Sequence, residues 1–316
     1  MPQFDVSCVG FYVVDILGRP VTRIPEGGRA DYIEEICMTV AGTAGATALD
    51  CAILGQKVRA VSLVGSDALG DYMVSTLEGH GVDCSCIART GATQTSATIL
   101  PVRPNGERPA LHVPGSAALF TLVPDQHEAA LDARILHLGG TGLLRSFDGA
   151  PTVSLMQAAK KKGLTTTFDL IQATPAVAAL VAPMLPLTDW FIPSIEEARE
   201  LTGLSAPQEV ASALRDQGAR NVVLTLGGEG VFALAEDGAT LRLPAHDIPV
   251  IDTTGCGDCF TAGVITGLSK NWDLEQTLRF ATAASARVAM ALGSQGLLTS
   301  FEDTWAAMEK LPLRTH

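Results

Sequence analysis

Short apolar runs rich in valine and isoleucine alternate along the chain with segments of helical periodicity. The apolar runs predict buried strands over 4–11, 57–65, 133–140, 164–170, 188–192 and 220–228. The periodic segments predict helices over 43–54, 68–78, 150–162, 196–202, 208–217, 257–269, 273–291 and 301–310. Apolar strands that alternate with helices are typical of a parallel sheet covered on both faces. The pattern therefore predicts an α/β protein of three layers, α/β/α, with a mostly parallel central sheet.

Two stretches, 12–40 and 92–119, interrupt this alternation. Both lack helical periodicity and place Pro, Gly and Asn-Gly turn signals between short extended runs. Residues 97–113 predict a β-hairpin with Asn105-Gly106 at its tip. Because each stretch leaves a core segment and returns to one, we expect the two to form a small accessory β-sheet on a single domain spanning 1–316.

Composition and charge exclude several classes of function. Of the 316 residues 47% are hydrophobic and 18% charged, which indicates a folded protein, and the net charge of −12 does not suit binding to nucleic acid or an anionic membrane. No apolar run approaches the ~20 residues of a membrane-spanning helix, and the first residues lack a charged segment followed by a cleavage site. We therefore expect a cytoplasmic protein with no nucleic-acid or membrane partner.

The cysteines do not form a recognisable framework. There are seven, an odd number, scattered along the chain, and the spacing of Cys84 and Cys86 does not suit a zinc pair. We expect reduced thiols that are buried or partly buried.

The stretch DTTGCGDCFTAG (252–263) carries the strongest chemical signal. Gly255 and Gly257 allow the backbone to turn its N–H groups towards one point at the start of a helix, which makes an anion site. Asp258, in the first helical turn, is placed to take a proton from a hydroxyl over that site. The alternative is a glycine-rich turn followed by an ordinary first-turn aspartate, and the stretch taken alone favours that alternative.

The same stretch resembles the C-terminal signature of the ribokinase-like sugar kinases, the phosphofructokinase-B family. Its fixed Gly-x-Gly-Asp is far more specific than a lone glycine loop. The resemblance implies that Asp258 is the catalytic base and that the amides of Gly255, Cys256 and Gly257 form an anion hole. It further implies the ribokinase-like fold and an ATP-dependent transfer of phosphate to a hydroxyl of a small sugar.

Two other segments resemble the nucleotide site of that family. VVLTLGGEGVFAL (222–234) resembles its nucleotide-binding turn, which implies that Thr225, Gly227 and Gly230 line the ATP phosphates and ribose. From the residues alone, a plain hairpin linking two strands fits this segment as well. The segment 280–296 resembles the border of the adenine site, where Thr282 is implied to face the base.

The acceptor site matches the family less completely. CVGFYVVDILGR (8–19) resembles the first strand of the family and implies that Asp15 binds sugar hydroxyls. The segment 39–55 resembles the glycine-rich sugar signature, but only Gly42 of the usual pair is present and Ala46 stands in place of Asn. Near Asp169 the Asn and Arg of some relatives are missing as well.

These departures bear on the identity of the sugar. Because no Arg stands in 169–173, we expect a neutral ribose-like or fructose-like sugar rather than a carboxylated one. Arg103 and Arg108 on the predicted lid are the arginines that could still reach into the site.

The resemblance also implies metal ions. FIPSIEEARELTG (191–203) resembles the segment whose Asn and Glu hold magnesium through water; here the two positions are Ser194 and Glu197, which also form a capping box. Both roles are compatible. A monovalent cation such as K⁺ is implied near the carbonyl groups of Asp252, Thr254, Val288, Ala291 and Gly293.

In many relatives the accessory sheet acts as a lid over the acceptor and pairs between subunits, so the resemblance implies a lid and a homodimer. Two alternatives stay open at this point: a nucleoside kinase of the adenosine-kinase type, and a catalytically silent small-molecule sensor on the same fold. A dinucleotide oxidoreductase is excluded because CVGFYVVD lacks Gly-x-Gly-x-x-Gly after the first strand.

Overall fold

A computed structural model describes residues 2–315, whose strands form a large and a small sheet. In chain order the strands are β1 Phe4–Gly10, β2 Val13–Arg19, β3 Glu35–Ala41, β4 Val58–Gly65, β5 Asp83–Thr90, β6 Ala97–Pro101, β7 Leu111–Val113, β8 Ala133–Gly139, β9 Thr165–Asp169, β10 Trp190–Phe191, β11 Asn221–Thr225, β12 Val231–Leu234 and β13 Thr240–Leu243. The helices are α1 Gly45–Ile53, α2 Ala68–Gly79, α3 Pro124–Ala130, α4 Ala150–Lys162, α5 Pro175–Val181, α6 Ile195–Thr202, α7 Pro207–Asp216, α8 Cys256–Ser269, α9 Leu274–Ala289 and α10 Phe301–Lys310.

The large sheet has nine strands in the order β13-β12-β11-β10-β9-β8-β1-β4-β5. Every neighbouring pair from β11 to β5 is parallel, whereas β12 and β13 add an antiparallel edge. Successive residues of the central strands face opposite layers: Cys8 packs with α1, α2, α8 and α9, and Val9 packs with α3 to α7. The predicted three-layer α/β fold with a mostly parallel sheet is confirmed.

The small sheet has four strands in the order β3-β2-β6-β7, all from the two stretches that interrupt the alternation of strands and helices. Strands β6 and β7 form the predicted hairpin. The amide of Arg103 donates a 2.8 Å hydrogen bond to the carbonyl of Glu107, which closes the turn around Asn105-Gly106. The accessory sheet and its hairpin are confirmed.

Several boundaries differ from the prediction. The strand expected over 220–228 ends at Thr225, because the chain turns at Gly227, whose φ is +56°, into a 3₁₀ turn that leads to antiparallel β12. Strands β11 and β12 therefore form a hairpin over 222–234, which is compatible with a ligand site at its turn. The strand expected over 188–192 shortens to Trp190–Phe191. Strands β5 and β13 and helices α3 and α5 were not predicted.

All seven cysteines are free thiols, five buried and two, Cys37 and Cys256, partly buried, as expected. Within residues 2–315, no helix combines the length and the apolar character needed to cross a membrane.

Candidate active site

Two adjoining cavities lie at the carboxyl edge of the large sheet, where open α/β sheets bind ligands. The larger, of about 530 Å³, lies between the two sheets and is lined by Asp169 at the end of β9 and by residues of the small sheet. The smaller, of about 210 Å³, lies beside the turn after β11. Thr225, Thr253 and Gly257 line both cavities. The two spaces therefore meet at the N-terminus of α8.

The N-terminus of α8 is shaped by two glycines with different roles. Gly255 caps the helix with φ +77°, and a Cβ there would lie 2.4 Å from the carbonyl oxygen of Ser294. Only glycine fits this conformation and this contact. Gly257 lies inside the first turn, and a Cβ there would meet no atom within 4 Å. The left-handed geometry thus belongs to Gly255, whereas Gly257 keeps the backbone open to both cavities.

The first-turn amides of α8 face this junction with the positive end of the helix. The amide of Cys256 donates to the carbonyl of Thr253 at 3.3 Å, so it is already engaged in the turn. Its thiol lies 3.6 Å from the carbonyl oxygen of Ser285, and burial raises its pKa to about 12. Of the three anion-hole candidates, Cys256 therefore has the least accessible N–H, and its sulfur stays protonated.

Asp258 follows directly and lines the larger cavity. Burial, together with the negative charges of Asp15 and Glu197, raises the pKa of its carboxyl to about 7, against the opposing effect of Arg108. A carboxyl that titrates near neutral pH is suited to accept a proton from a substrate.

Asp15 lies on β2, on the face of the small sheet that lines the larger cavity. It pairs in register with Thr98 on β6, which pairs in turn with His112 on β7. The Thr98 hydroxyl and His112 Nδ1 lie 3.1 Å apart. Burial raises the pKa of Asp15 to about 6. One row across three strands therefore presents a carboxyl, a hydroxyl and an imidazole to the cavity.

Three polar atoms in the wall of the larger cavity are buried without a hydrogen-bond partner within residues 2–315: Asp15 Oδ1, Thr43 Oγ1 and Ser294 Oγ. Buried polar groups are nearly always satisfied in folded proteins. Because the three residues that carry these atoms line one cavity, that cavity is suited to a ligand with hydrogen-bonding groups.

Gly42 sits at the turn before α1 with φ +90°, where a Cβ would lie 2.6 Å from the carbonyl oxygen of Phe11. It lines the larger cavity, whereas Ala46 is fully buried in α1. His137 Nε2 donates a 2.8 Å hydrogen bond to the Thr43 carbonyl, which holds this turn against the large sheet. Its Nδ1 then accepts from the hydroxyl of Thr167 at 3.0 Å. Gly42 therefore lines the cavity, whereas Ala46, at the position of the missing Asn, is buried in the core.

Glu197 lines the larger cavity while it caps α6. Its Oε2 accepts from Ser194 N at 2.9 Å and from Ser194 Oγ at 2.7 Å, so the capping box is present. Burial raises the pKa of Glu197, and its negative charge in turn raises the pKa of Asp169 and of Asp258. Within residues 2–315 no group of three or more His, Cys, Asp or Glu forms a cage for a metal. One carboxylate beside a phosphate site nevertheless fits magnesium, which keeps most of its waters.

The candidate residues of the nucleotide site meet in the smaller cavity. Thr225, Gly227, Gly230 and Thr282 all line it, although the Thr282 hydroxyl donates to the Leu278 carbonyl at 2.7 Å. Its walls are otherwise largely apolar, from Ile248, Val250, Phe260, Ala286 and Ala289. A largely apolar cavity that opens onto a helix N-terminus suits a base joined to phosphates.

The candidate cation segments are also neighbours. Asp252 Oδ2 accepts from the amide of Gly293 at 3.0 Å, and the amide of Ile251 donates to the Ala289 carbonyl at 2.8 Å. Segments 252–254 and 288–293, which contain Thr254, Val288 and Ala291, therefore run side by side.

Sequence reasoning missed several residues that line the larger cavity, namely Thr43, Thr98, His112, Gln172 and Ser294. Of the two arginines on the hairpin, Arg108 lines the cavity, whereas Arg103 pairs with Glu107 at 2.8 Å on the outside. An apolar/polar alternation along β6 and β7, taken with the pairing to β2, is the signal that points to Thr98 and His112.

Comparison with known proteins agrees with this architecture. The model of the pfkB family carbohydrate kinases matches residues 4–300. A ribokinase from Haemophilus influenzae is 28% identical over 83% of this chain and 85% of its own. A 5-dehydro-2-deoxygluconokinase from Shouchella clausii is 26% identical over 98% of this chain and 96% of its own.

Solved structures match over nearly the whole chain. The Arabidopsis thaliana ribokinase complexed with ribose and ATP has a TM-score of 0.82 at 20% identity and covers 98% of this chain and 99% of its own. A candidate ribokinase II from E. coli in complex with ATP and Mg²⁺ has a TM-score of 0.82 at 19% identity. The match covers 97% of this chain and 99% of the E. coli chain. A PfkB protein from Polaromonas sp. JS666 has a TM-score of 0.75 at 28% identity. The match covers 96% of this chain and 100% of the Polaromonas chain.

Proposed function

Because the chain belongs to the pfkB family of carbohydrate kinases and is a sugar kinase, we propose that it transfers the γ-phosphoryl group of ATP to a hydroxyl of a small neutral sugar. The acceptor is ribose-like or fructose-like. One observation carries the proposal: Asp258, with a pKa near neutrality, faces the larger cavity where that cavity meets the smaller one. A proton acceptor at the junction of two ligand spaces is what transfer between two substrates requires.

The donor site is the smaller cavity. ATP lies there with its phosphates along Thr225, Gly227 and Gly230 and its adenine towards Thr282. Two relatives of the same fold are solved with ATP, one with ribose and one with Mg²⁺, which supports this placement. The phosphates then point at the N-terminus of α8.

The transfer uses the residues of that helix start. Asp258 accepts the proton of the attacking hydroxyl, and the amides of Gly255, Cys256 and Gly257 hold the charge of the phosphoryl group. Gly257 contributes most to access, since its backbone is open to both cavities.

The acceptor site is the larger cavity. Asp15 binds adjacent hydroxyls of the sugar, and the backbone at Gly42 allows the sugar to approach closely. The unpartnered atoms on Asp15, Thr43 and Ser294 supply hydrogen bonds to a polyhydroxyl ligand. The cavity is lined by four carboxyl side chains (Asp15, Asp169, Glu197 and Asp258) and one guanidinium, Arg108, and such a balance disfavours an anionic acceptor.

Metal ions complete the donor site. Glu197 would hold magnesium through water, and the ion would neutralise part of the charge on the phosphates. The carbonyl groups of Asp252, Thr254, Val288, Ala291 and Gly293 would hold a monovalent cation such as K⁺.

The small sheet acts as a lid that excludes water from the acceptor. Its outer face is apolar: Met38, Ile16, Ile99 and Leu111 pair in register as one row across four strands, and three of them (Met38, Ile99 and Leu111) are 41–64% exposed. An apolar face of this kind marks an interaction surface. We place the contact of a homodimer there, and a cytoplasmic location stays a prediction from the sequence.

A panel of acceptors tests the proposal. ADP release is measured by a coupled assay with ATP and Mg²⁺ over neutral pentoses and hexoses, sugar acids and nucleosides. The proposal expects a neutral sugar to be phosphorylated fastest. Adenosine as the best substrate would establish a nucleoside kinase instead, and binding of a sugar without ADP release would establish a silent sensor.

A further inference from the structure

The segment that follows α10 runs back along the wall of the smaller cavity. The amide of Arg314 donates a 2.9 Å hydrogen bond to the carbonyl of Ala245, and the amide of Asp247 donates one of 2.8 Å to the carbonyl of Pro312. The two segments are antiparallel, and Ala245 lines the smaller cavity. The backbone of Arg314 is therefore held beside that cavity.

The side chain of Arg314 reaches the turn after β11. Its Nη1 donates a 3.1 Å hydrogen bond to the carbonyl of Gly228, and Arg314 itself lines the smaller cavity. A Cβ at Gly228 would lie 2.5 Å from that Nη1, so the backbone of the turn and the guanidinium are in direct contact. Gly228 lies between Gly227 and Gly230, which the proposed function assigns to the phosphates of the nucleotide. The guanidinium therefore lies where those phosphates are expected.

Within residues 2–315, Arg314 is the one side chain in the wall of the smaller cavity that carries a full charge at neutral pH. The other polar side chains there are hydroxyls, one thiol and the imidazole of His246, whose pKa is lowered by burial. The larger cavity is different, since four carboxyl groups line it. Electrostatics therefore favours an anionic ligand in the smaller cavity, and Arg314 supplies the charge.

The guanidinium of Arg314 keeps most of its hydrogen-bonding capacity for a ligand. The bond to Gly228 uses one N–H group, and no carboxylate in the described part of the chain forms an ion pair with Arg314. By contrast, Arg242 already pairs with Glu229 of the same turn at 3.0 Å. A planar guanidinium with several N–H donors matches two phosphate oxygens at once.

We propose that Arg314 binds the phosphates that stay on the nucleotide, the diphosphate of ADP, and that the segment after α10 thereby sets the affinity of the enzyme for its phosphate donor. This inference rests on the proposed function, in which the phosphates lie along 225–230 and the adenine lies towards Thr282. Arg314 takes no part in the transfer itself, because these phosphates are bound before, during and after it. Such binding is equal in the ground state and the transition state, so it lowers KM for ATP and leaves kcat unchanged.

The first test measures steady-state kinetics of the full chain with ATP, Mg²⁺ and the fastest neutral sugar of the panel. The variants are Arg314→Ala, Arg314→Lys, which keeps a charge, and Arg314→Gln, which keeps an N–H donor for Gly228. The matched control is Arg242→Ala, which removes the other arginine of this turn; within residues 2–315, Arg242 does not line the smaller cavity.

We expect KM for ATP to rise about 10-fold for Arg314→Ala and Arg314→Gln and to rise less for Arg314→Lys, because the contact depends on the charge. We expect kcat and KM for the sugar to stay at their wild-type values in all three variants. Arg242→Ala keeps the wild-type KM for ATP.

The second test measures binding without turnover. Calorimetry gives the affinity for ADP with Mg²⁺ and the affinity for adenosine, both with the sugar present so that the acceptor cavity is occupied. We expect Arg314→Ala to bind ADP about 10-fold more weakly than the wild type and to bind adenosine equally well, because adenosine has no phosphate. Arg242→Ala binds both ligands as the wild type does.

Each other outcome decides a definite statement. An affinity for ADP that is equal in Arg314→Ala and the wild type overturns the inference and leaves the proposed function standing. An equal loss for adenosine and ADP, or a fall in kcat at unchanged KM for ATP, overturns the contact with the diphosphate. A wild-type protein that binds neither ADP nor ATP overturns the proposed function and the inference with it.

Thermal unfolding at the wild-type temperature establishes that each variant is folded. If Arg314→Ala unfolds at a lower temperature, the comparison of Arg314→Gln with Arg314→Lys decides the inference, since both keep a long polar side chain on the turn and only the lysine keeps the charge. Equal affinities for ADP in these two variants then overturn it.

Discussion

Thr261 Oγ1 donates a 3.1 Å hydrogen bond to Asp169 Oδ2, one helical turn beyond Asp258 on α8. Asp169 is the last residue of β9, and its Oδ1 also accepts from the amide of Leu170 at 2.7 Å. The bond therefore fastens the helix that carries the proposed base to the carboxyl edge of the large sheet. Because Thr261 and Asp258 lie three positions apart, they share one face of the helix, and the fixed rotation aims Asp258 into the cavity.

Replacement of the proposed base tests its role directly. We expect Asp258→Asn to lower kcat about 10²–10⁴-fold, the usual range for loss of a general base, with little change in affinity for ATP. Steady-state kinetics with the best sugar and binding of ATP by calorimetry measure the two effects. The exposed Asp216→Asn is the control. A variant that keeps more than about a third of wild-type kcat contradicts the assignment.

The raised pKa of Asp258 predicts a dependence of activity on pH. Its carboxyl accepts a proton only when ionised, and its pKa of about 7 places ionisation near neutrality. We therefore expect kcat/KM to rise from pH 5 to pH 8 with a midpoint near that pKa. Since Arg108 lowers this pKa, the midpoint moves to higher pH in Arg108→Ala. A profile that is flat between pH 5 and 8 rejects Asp258 as the base.

The same pKa predicts an effect of opposite sign on stability. The folded pKa of about 7 exceeds the ordinary value of 3.8, so the folded state binds this proton more tightly and loses stability as pH rises through that interval. We expect Asp258→Asn to unfold at a higher temperature than the wild type at pH 8 and to lose most of this difference at pH 4. Calorimetry measures both, and equal Tm values at pH 8 contradict the expectation.

The two glycines of α8 are expected to respond differently to substitution. Gly257→Val places a side chain in the open space between the cavities and should abolish most turnover at unchanged Tm. Gly255→Ala meets the Ser294 carbonyl at 2.4 Å and should lower Tm. Turnover and thermal unfolding, measured on both variants, separate the effects. If Gly257→Val loses activity only in step with unfolding, its role is structural.

Asp15 is expected to control the acceptor. Asp15→Ala leaves the polar wall of the larger cavity without its carboxyl, so we expect KM for the sugar to rise more than KM for ATP, and the neutral sugar to remain preferred over 2-keto-3-deoxygluconate and adenosine. The control is Asp31→Ala, which removes an exposed acid of the same part of the chain. An unchanged KM for the sugar contradicts the role.

The apolar outer row of the small sheet predicts the oligomeric state. A charge at Ile99, which is 54% exposed, should convert the proposed dimer to a monomer, whereas a charge at Val123, which is 52% exposed and lies outside that sheet, should not. Light scattering of Ile99→Asp and Val123→Asp measures this. A wild-type protein that is monomeric at micromolar concentration rules out the dimer.

The sequence predicted the central strands because both faces of each are buried, which leaves an unbroken apolar run. Strand β5 was not predicted, because it lies at the edge of the sheet beside β4 and carries Asp83 and Arg89 among its apolar residues. Helices α3 and α5 have seven residues each and begin with proline, so they are too short for a 3.6-residue period to show.

The sequence predicted the site residues that are neighbours along the chain. It did not predict those that strand pairing brings together. Gly255, Gly257 and Asp258 form one local motif, so their shared position follows from one turn of chain. Thr98 and His112 reach the cavity only because β6 pairs parallel to β2 and β7 antiparallel to β6. The register of these strands is decided by the whole small sheet, so the sequence of each short strand does not reveal which residues it pairs with.

The two ligand spaces draw on different parts of the chain. The smaller cavity is built by residues from 225 onwards, whereas the small sheet, which covers the acceptor, comes entirely from residues 13–41 and 97–113. Selection can therefore act on one substrate without disturbing the other. Substitutions confined to the small sheet can move the enzyme to a new acceptor while the residues that build the smaller cavity are inherited intact.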